Sequence, residues 1–253
     1  MSLKERPLNK MTIERNPTYP MRINKYLAMR HISTRREADE IVASGRVKIN
    51  GRAAVLGDKV EKDDLVEIAK ENKRNAKKRV YLAYNKPPGI ITHSPQGEEK
   101  SIGDIFKYDQ KVFPVGRLDK DSWGLIILTN DGRITDGILN PERDHEKEYI
   151  VRVDKPISVS FIGKMGRGVK LDDGYQTREC RVKKMNEYDF SIVLTEGKRR
   201  QIRRMCTILG YAVRDLKRVR IMNIKLGDLR PGAHRKIQGK ELEEFLAKLN
   251  IAN

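Results

Sequence analysis

The segment VGRLDKDSWGLIILTN, Val115 to Asn130, sets one carboxylate, Asp119, directly ahead of an apolar run. An aspartate at the mouth of a buried strand can serve as a nucleophile, or it can cap a turn; the segment alone leaves both open. Asp119 and Asp121 also form a candidate carboxylate pair for glycosidic cleavage, although residues at i and i+2 share a face only on an extended segment. Further along, GKRRQIRRMCTILG spaces Ile202, Met205, Cys206 and Leu209 at i, i+3, i+4 and i+7, the stripe of a core-facing helix. At about 100° per residue, Arg204 points nearly opposite that stripe, while Arg199 and Arg203 lie along its flank. A flanking arginine can turn into a groove and meet a buried carboxylate, or stay a rim cation. Helix geometry does not choose between these.

Other chemistries find no residues in the right pattern. Cys180 and Cys206 are isolated thiols, and the histidines His31, His93, His145 and His234 are scattered, so neither a disulfide framework nor a zinc site is expected. Such cysteine usage suits a reducing cytoplasm. No Gly-rich phosphate loop occurs, and no apolar stretch approaches the ~20 residues of a membrane span. The charge balance is the strongest global signal: 53 Lys+Arg against 35 Asp+Glu give +18, which calls for a polyanionic partner.

The elements that must position these residues can be read from pattern. Residues 1–20 read as a leader without an apolar segment. Residues 21–69 form a compact unit: MRINKYLAMRHI and STRREADEIVASGRV carry helical spacing, the second opening on the capping signature Thr34-x-x-Glu37. Asn50-Gly51 then sits between two alternating segments, the signal of a tight hairpin. Arg22, Lys25, Arg35, Arg36 and Lys48 crowd this unit. Residues 70–79, KENKRNAKKR, hold six cations and one acid, and self-repulsion makes them a linker. From Val80 to Asn253 strands dominate: VYLAYNKPPGIITH reads as strand, turn, strand, and VKLDDGYQTRECRVKKM as a hairpin around Asp173-Gly174. Helices interrupt without regular alternation, so the expected class is α+β, with a mixed, mainly antiparallel sheet flanked by helices.

The ordered set GRLD, GLIILTNDG, KEY and RRQIRRM resembles the pseudouridine synthases, and specifically their RsuA-like branch, which modifies ribosomal RNA. The stretch RINKYLAMRHISTRREADEIVASGRVKING resembles the alpha-L (S4-like) RNA-binding domain found at the N-terminus of that branch. NKPPG, DKDS and HEKEYIV look most like its RluF group, which acts on large-subunit RNA. The resemblance runs from about Met21 to Leu246. It implies a pseudouridine synthase fold, no cofactor, and structured RNA as substrate: a 23S ribosomal stem-loop or pre-ribosomal particle, with transfer RNA as the alternative. It further implies that Asp119 is the catalytic aspartate, that Tyr149 contacts the target base, and that Arg203 pairs with Asp119. Arg117, Lys86, Lys147 and Leu216 would line the substrate pocket. The RNA-binding set is Arg22, Lys25, Arg35, Arg36, Lys48, Asn50, Arg200 and Arg204. Trp123 departs from the family pattern and is expected to pack on the sheet.

The chemistry accounts for the residue types. Converting uridine to pseudouridine breaks the N-glycosidic bond, turns the base and joins its C5 to the ribose, with no redox change. It needs an ionised carboxylate in a site that keeps water away, and a nearby cation would hold that carboxylate charged. A uridine within a helix must first be flipped out. Aromatic residues make up only 6% of the chain, too few for a stacking platform along a single strand, so recognition of folded RNA through phosphates and shape is expected, with steep salt dependence. A non-catalytic RNA-binding or ribosome-assembly factor is the rival class.

Overall fold

The computed structural model describes residues 18–30, 32–33, 35–69, 78–93 and 95–251. The chain divides into two compact units, Met1–Asn75 and Ala76–Asn253. Most of the expected leader and linker therefore lie outside the described residues, as does Thr34 of the capping signature.

The first unit runs β1 (Met21–Arg22), α1 (Ile23–Met29), α2 (Arg35–Ala43), β2 (Val47–Ile49), β3 (Arg52–Ala53), β4 (Lys59–Val60) and β5 (Val66–Ile68). Strands β3, β2 and β5 make one small antiparallel sheet, and β1 pairs with β4. Ile23 and Leu27 of α1 meet Ala38 and Val42 of α2 over Val47 and Ile49 of β2. The helical spacing read from sequence thus buries one face of each helix. Asn50 and Gly51 both have positive φ, 50° and 80°, as a type I′ hairpin turn requires.

The second unit runs β6 (Tyr81–Lys86), α3 (Ile102–Ile105), β7 (Phe113–Val115), β8 (Trp123–Thr129), α4 (Ile134–Leu139), a 3-10 turn (Pro141–Arg143) and β9 (Lys147–Val153). It continues with α5 (Val159–Gly166), β10 (Arg181–Lys184), β11 (Asp189–Leu194), α6 (Gln201–Ile208), β12 (Val213–Ile221), β13 (Ile224–Lys225), β14 (His234–Lys236) and α7 (Gly239–Lys248). Nine strands form one sheet in the order β10-β11-β9-β12-β8-β6-β14, with β13 attached to β12 and β7 to β8. Every pairing is antiparallel except β8 with β12. Strand β8 reads as a continuous apolar run because both of its faces are covered. Leu125 and Ile127 face a core closed by α4 and α7, while Ile126 and Leu128 face a second core with Tyr84 and Ile102. A third core packs α5 and α6 onto β9, β11 and β12, and it takes Ile202, Met205 and Cys206 as the α6 stripe required.

Two expected elements differ. The strand expected after Pro-Pro-Gly is a single bridge, Ile91 to Ser101. Here Thr92 turns its hydroxyl to the backbone of Leu118 instead of joining a ladder. The hairpin at Asp173-Gly174 likewise reduces to one bridge, Lys170 to Gln176. Side chains there capture the ladder's donors: Thr177 Oγ1 accepts from Val169 N, and Glu196 accepts from Arg178 N.

Candidate active site

Asp119 sits in the loop joining β7 to β8, a hairpin in which Val115 pairs with Ile127. The loop is clamped on both sides of Asp119. Ahead of it, Thr92 Oγ1 donates to Leu118 O at 2.9 Å and accepts from Leu118 N at 3.0 Å. Behind it, Gly89 N donates to Lys120 O at 2.8 Å, and Ser122 N donates to Asp119 O at 3.1 Å. The NKPPG segment is therefore a buttress beneath the aspartate loop.

Asp119 opens on a cavity of about 900 Å³ whose wall also includes Arg117, Lys147, Tyr149, Arg200 and Leu216. The strand register explains this grouping: Tyr149 at the middle of β9 stands opposite Arg218 of β12, and Leu216 lies two residues before it on the same face. At the mouth, Arg200 adopts a left-handed conformation at φ 51° immediately before α6. The basic loop ending there is anchored by buried Glu196, which accepts from Gln201 Nε2 and Tyr175 Oη at 2.6 Å each. Burial, with the neighbouring charge of Arg218, pulls the Lys147 ammonium down to about 8.

Several expected residues fall elsewhere. The ion pair of Arg203 with Asp119 is not formed: the guanidinium instead reaches Asp121 O, Ser122 Oγ and Val213 O at 3.3–3.4 Å. From the flank of α6 the nearest acceptors are those of the turn that follows the aspartate, so Arg203 holds that turn. Lys86 does not line the cavity. It is 0% exposed, and its ammonium donates to Pro87 O at 2.8 Å, Ile90 O at 2.6 Å and Lys120 O at 3.4 Å. Arg204 is held by Asp172 and Asp173, with Asp173 Oδ2 at 2.9 Å from Nη2, which withdraws it from a phosphate-binding role. Asn50 is similarly occupied: its amide donates to Asp64 Oδ1 and accepts from Leu65 N, both at 2.8 Å, stitching two loops together. Arg22, Lys25, Arg35 and Lys48 are exposed on the first unit, while the Arg36 side chain lies outside the described residues. Trp123 packs on the sheet as expected, with Nε1 donating to Asp215 Oδ1 at 2.8 Å and Lys217 Nζ 4.5 Å from the ring centre.

Thr92, Glu196 and Arg218 escaped the sequence reading. Only Arg218 carried a local signal, since on an extended segment it falls two residues after Leu216 and so on the same face.

Lys86 gives a pH dependence with a definite sign. Burial lowers its pKa from 10.5 to about 8, against the opposing pull of Asp119 and Asp121. Between those values the unfolded chain binds more protons than the folded one, so this residue's contribution makes stability rise with pH from about 8 to 10.5. Below that window its burial penalty is fully present. Urea unfolding of wild type and Lys86→Met across the window should therefore show wild type gaining on the variant as pH rises, by on the order of 3 kcal/mol in all. A constant difference would exclude the shift.

A loop-borne aspartate, a strand tyrosine and a strand leucine thus share one cavity in a mixed sheet, the grouping that the resemblance to the pseudouridine synthases implies. The RNA pseudouridylate synthase family model matches residues 80–207 and the S4 domain model residues 21–66. The chain belongs to the RNA pseudouridylate synthase family, in its RsuA-like branch. It is 45% identical over 228 residues to the dual-specificity RNA pseudouridine synthase RluF of Shigella flexneri, covering 89% of this chain and 78% of that protein. It is 31% identical to the ribosomal large subunit pseudouridine synthase B of Bacillus subtilis, covering 89% and 96%. A crystal structure of a pseudouridylate synthase superposes with TM-score 0.65 at 26% identity, covering 90% of this chain and 99% of that one. The protein is thus an RNA pseudouridine synthase, and its substrate is RNA.

Proposed function

We propose that this enzyme isomerises a uridine in a stem-loop of 23S ribosomal RNA, with Asp119 as its nucleophile. The observation that carries the reading is the single cavity walled by Asp119, Tyr149 and Leu216 and rimmed by Arg117, Lys147 and Arg200. In this reading a flipped uridine enters with its base between Tyr149 and Leu216 and its ribose toward Asp119. The N1–C1′ bond breaks with its electron pair on the base, the base turns, and C5 bonds to C1′. The proton then leaves C5 and one is taken up at N1, so atoms balance without a co-reactant. Arg117 fills or holds the gap left in the RNA. Arg203 acts through the 121–122 turn, keeping the nucleophile in place.

The exposed Arg22, Lys25, Arg35 and Lys48 supply phosphate contacts from the S4 unit, and Arg200 supplies one at the cavity mouth. The same reading makes the protein a cytoplasmic monomer, with Cys180 and Cys206 kept as thiols. Pseudouridine mapping of total RNA with and without the gene tests the substrate. The expected result is loss at one or a few positions of large-subunit ribosomal RNA. Loss confined to transfer RNA would reassign the substrate, and no loss in any RNA would refute the reading.

A further inference from the structure

Arg218 is 4% exposed, yet it lines the cavity that Asp119 opens on. Its Nε donates to Leu125 O at 2.7 Å and its Nη1 to Arg117 O at 3.4 Å, while Nη2 is enclosed without a partner. No carboxylate lies within ion-pairing distance of it among the described residues. A buried guanidinium without a counter-ion is costly, and leaving one N–H group unpaired adds to that cost.

A staple role does not explain the charge. Two backbone carbonyls can be held by a neutral donor at no such penalty. The surroundings make the charge harder to keep: Lys86 of β6 and Lys147 of β9 both feel its repulsion. The acidic residues of the cavity wall are Asp119, on the β7–β8 loop, Glu99, which pairs with Lys120, and Glu196, which accepts from Tyr175 and Gln201; Tyr149 is the cross-strand neighbour of Arg218. Two lysines and an arginine are therefore grouped on the Asp119 side, and the arginine among them is the one whose side chain stays charged at any pH of interest.

Charge kept without a partner in the resting protein is matched when negative charge arises during the reaction. Breaking N1–C1′ leaves an electron pair on uracil, shared by N1, O2 and O4. Attack of a carboxylate on C6 would equally send charge to O4. The reacting base turns anionic by either route, and a fixed cation that needs no reorganisation stabilises it. We propose that Arg218 is the preorganised cation that stabilises the anionic uracil during isomerisation. This deepens the proposed function and rests on its placing of the uridine in this cavity.

The test compares Arg218→Lys and Arg218→Gln with wild type and Asp119→Asn, on large-subunit ribosomal RNA from a strain lacking the gene. Single-turnover rate, RNA affinity and thermal midpoint are read for each. Arg218→Gln should lose about 10²-fold in rate at saturating protein, with affinity within about twofold and a thermal midpoint no lower than wild type. Arg218→Lys should keep more of the rate at pH 7, then fall relative to wild type as pH rises toward 9, because a lysine crowded by Lys86 and Lys147 gives up its proton there. A fast Gln variant, or Lys and Gln variants equally slow at every pH, would overturn the assignment. So would a loss seen in affinity or melting alone. Activity in wild type and none in Asp119→Asn would in those cases leave the proposed function standing.

Discussion

Asp119→Asn is expected to lower the single-turnover rate of pseudouridine formation by at least about 10³-fold, with folding and RNA affinity unchanged. The expectation of intact folding comes from the local contacts. The Asp119 loop is held through backbone groups, by Thr92 at Leu118 and by Gly89 and Lys86 at Lys120, and the Asp119 carboxylate itself forms no hydrogen bond or ion pair among the described residues. Asparagine therefore fits without breaking a contact, and what disappears is the carboxylate charge, the nucleophile of the proposed reaction. Tritium release from RNA labelled at uridine C5 measures the rate, and filter binding measures affinity. A variant that binds and turns over like wild type would sink the mechanism. One that neither folds nor binds would show the loop to be less self-supporting than its backbone contacts imply. A secondary effect follows at Lys86: the Asp119 charge helps keep its ammonium protonated, so the variant should titrate that group at still lower pH.

The second large effect is structural. Gly124→Ala is expected to destabilise the protein by on the order of 3 kcal/mol or more. Gly124 lies in the parallel pairing of β8 with β12, facing Arg218. A Cβ there would lie 2.3 Å from Arg218 O and 2.7 Å from Arg218 N, against backbone that cannot rotate away. Its φ of 108° adds strain for any residue with a side chain. Separating β8 from β12 would also part Asp119 from Leu216, so surviving folded protein should be slow. Gly163→Ala is the control: it is helical, and its added methyl would meet nothing nearer than 3.7 Å. A lower urea midpoint for the first and little change for the second is the expected pair of results. An unchanged Gly124→Ala would mean that the two strands separate more easily than their contact suggests.

What could be read from sequence were the features set by neighbours along the chain. Asn50-Gly51 demanded a type I′ turn, the α6 stripe demanded a helix with Ile202, Met205 and Cys206 inward, and LIIL in β8 demanded cover on both faces. The site was legible in part. Asp119, Tyr149, Leu216, Arg117, Lys147 and Arg200 do share one cavity. Arg203 and Lys86 were misjudged for one reason: a long cationic side chain goes to whichever acceptors the fold brings within reach. Here those acceptors were carbonyls of the turns around Asp119.

Sequence by itself determined the α+β class and the basic RNA-facing character, because periodicity, charge and turn chemistry act over a few residues; the role expected of the aspartate loop came from its resemblance to the pseudouridine synthases. Only tertiary structure decided that β8 and β12 run parallel with Gly124 against Arg218, that Lys86 supports the loop from beneath, and that a guanidinium without a counter-ion lines the cavity of Asp119. Those outcomes depend on where backbone from distant segments points its carbonyls once the sheet has closed, and short-range pattern carries no record of that.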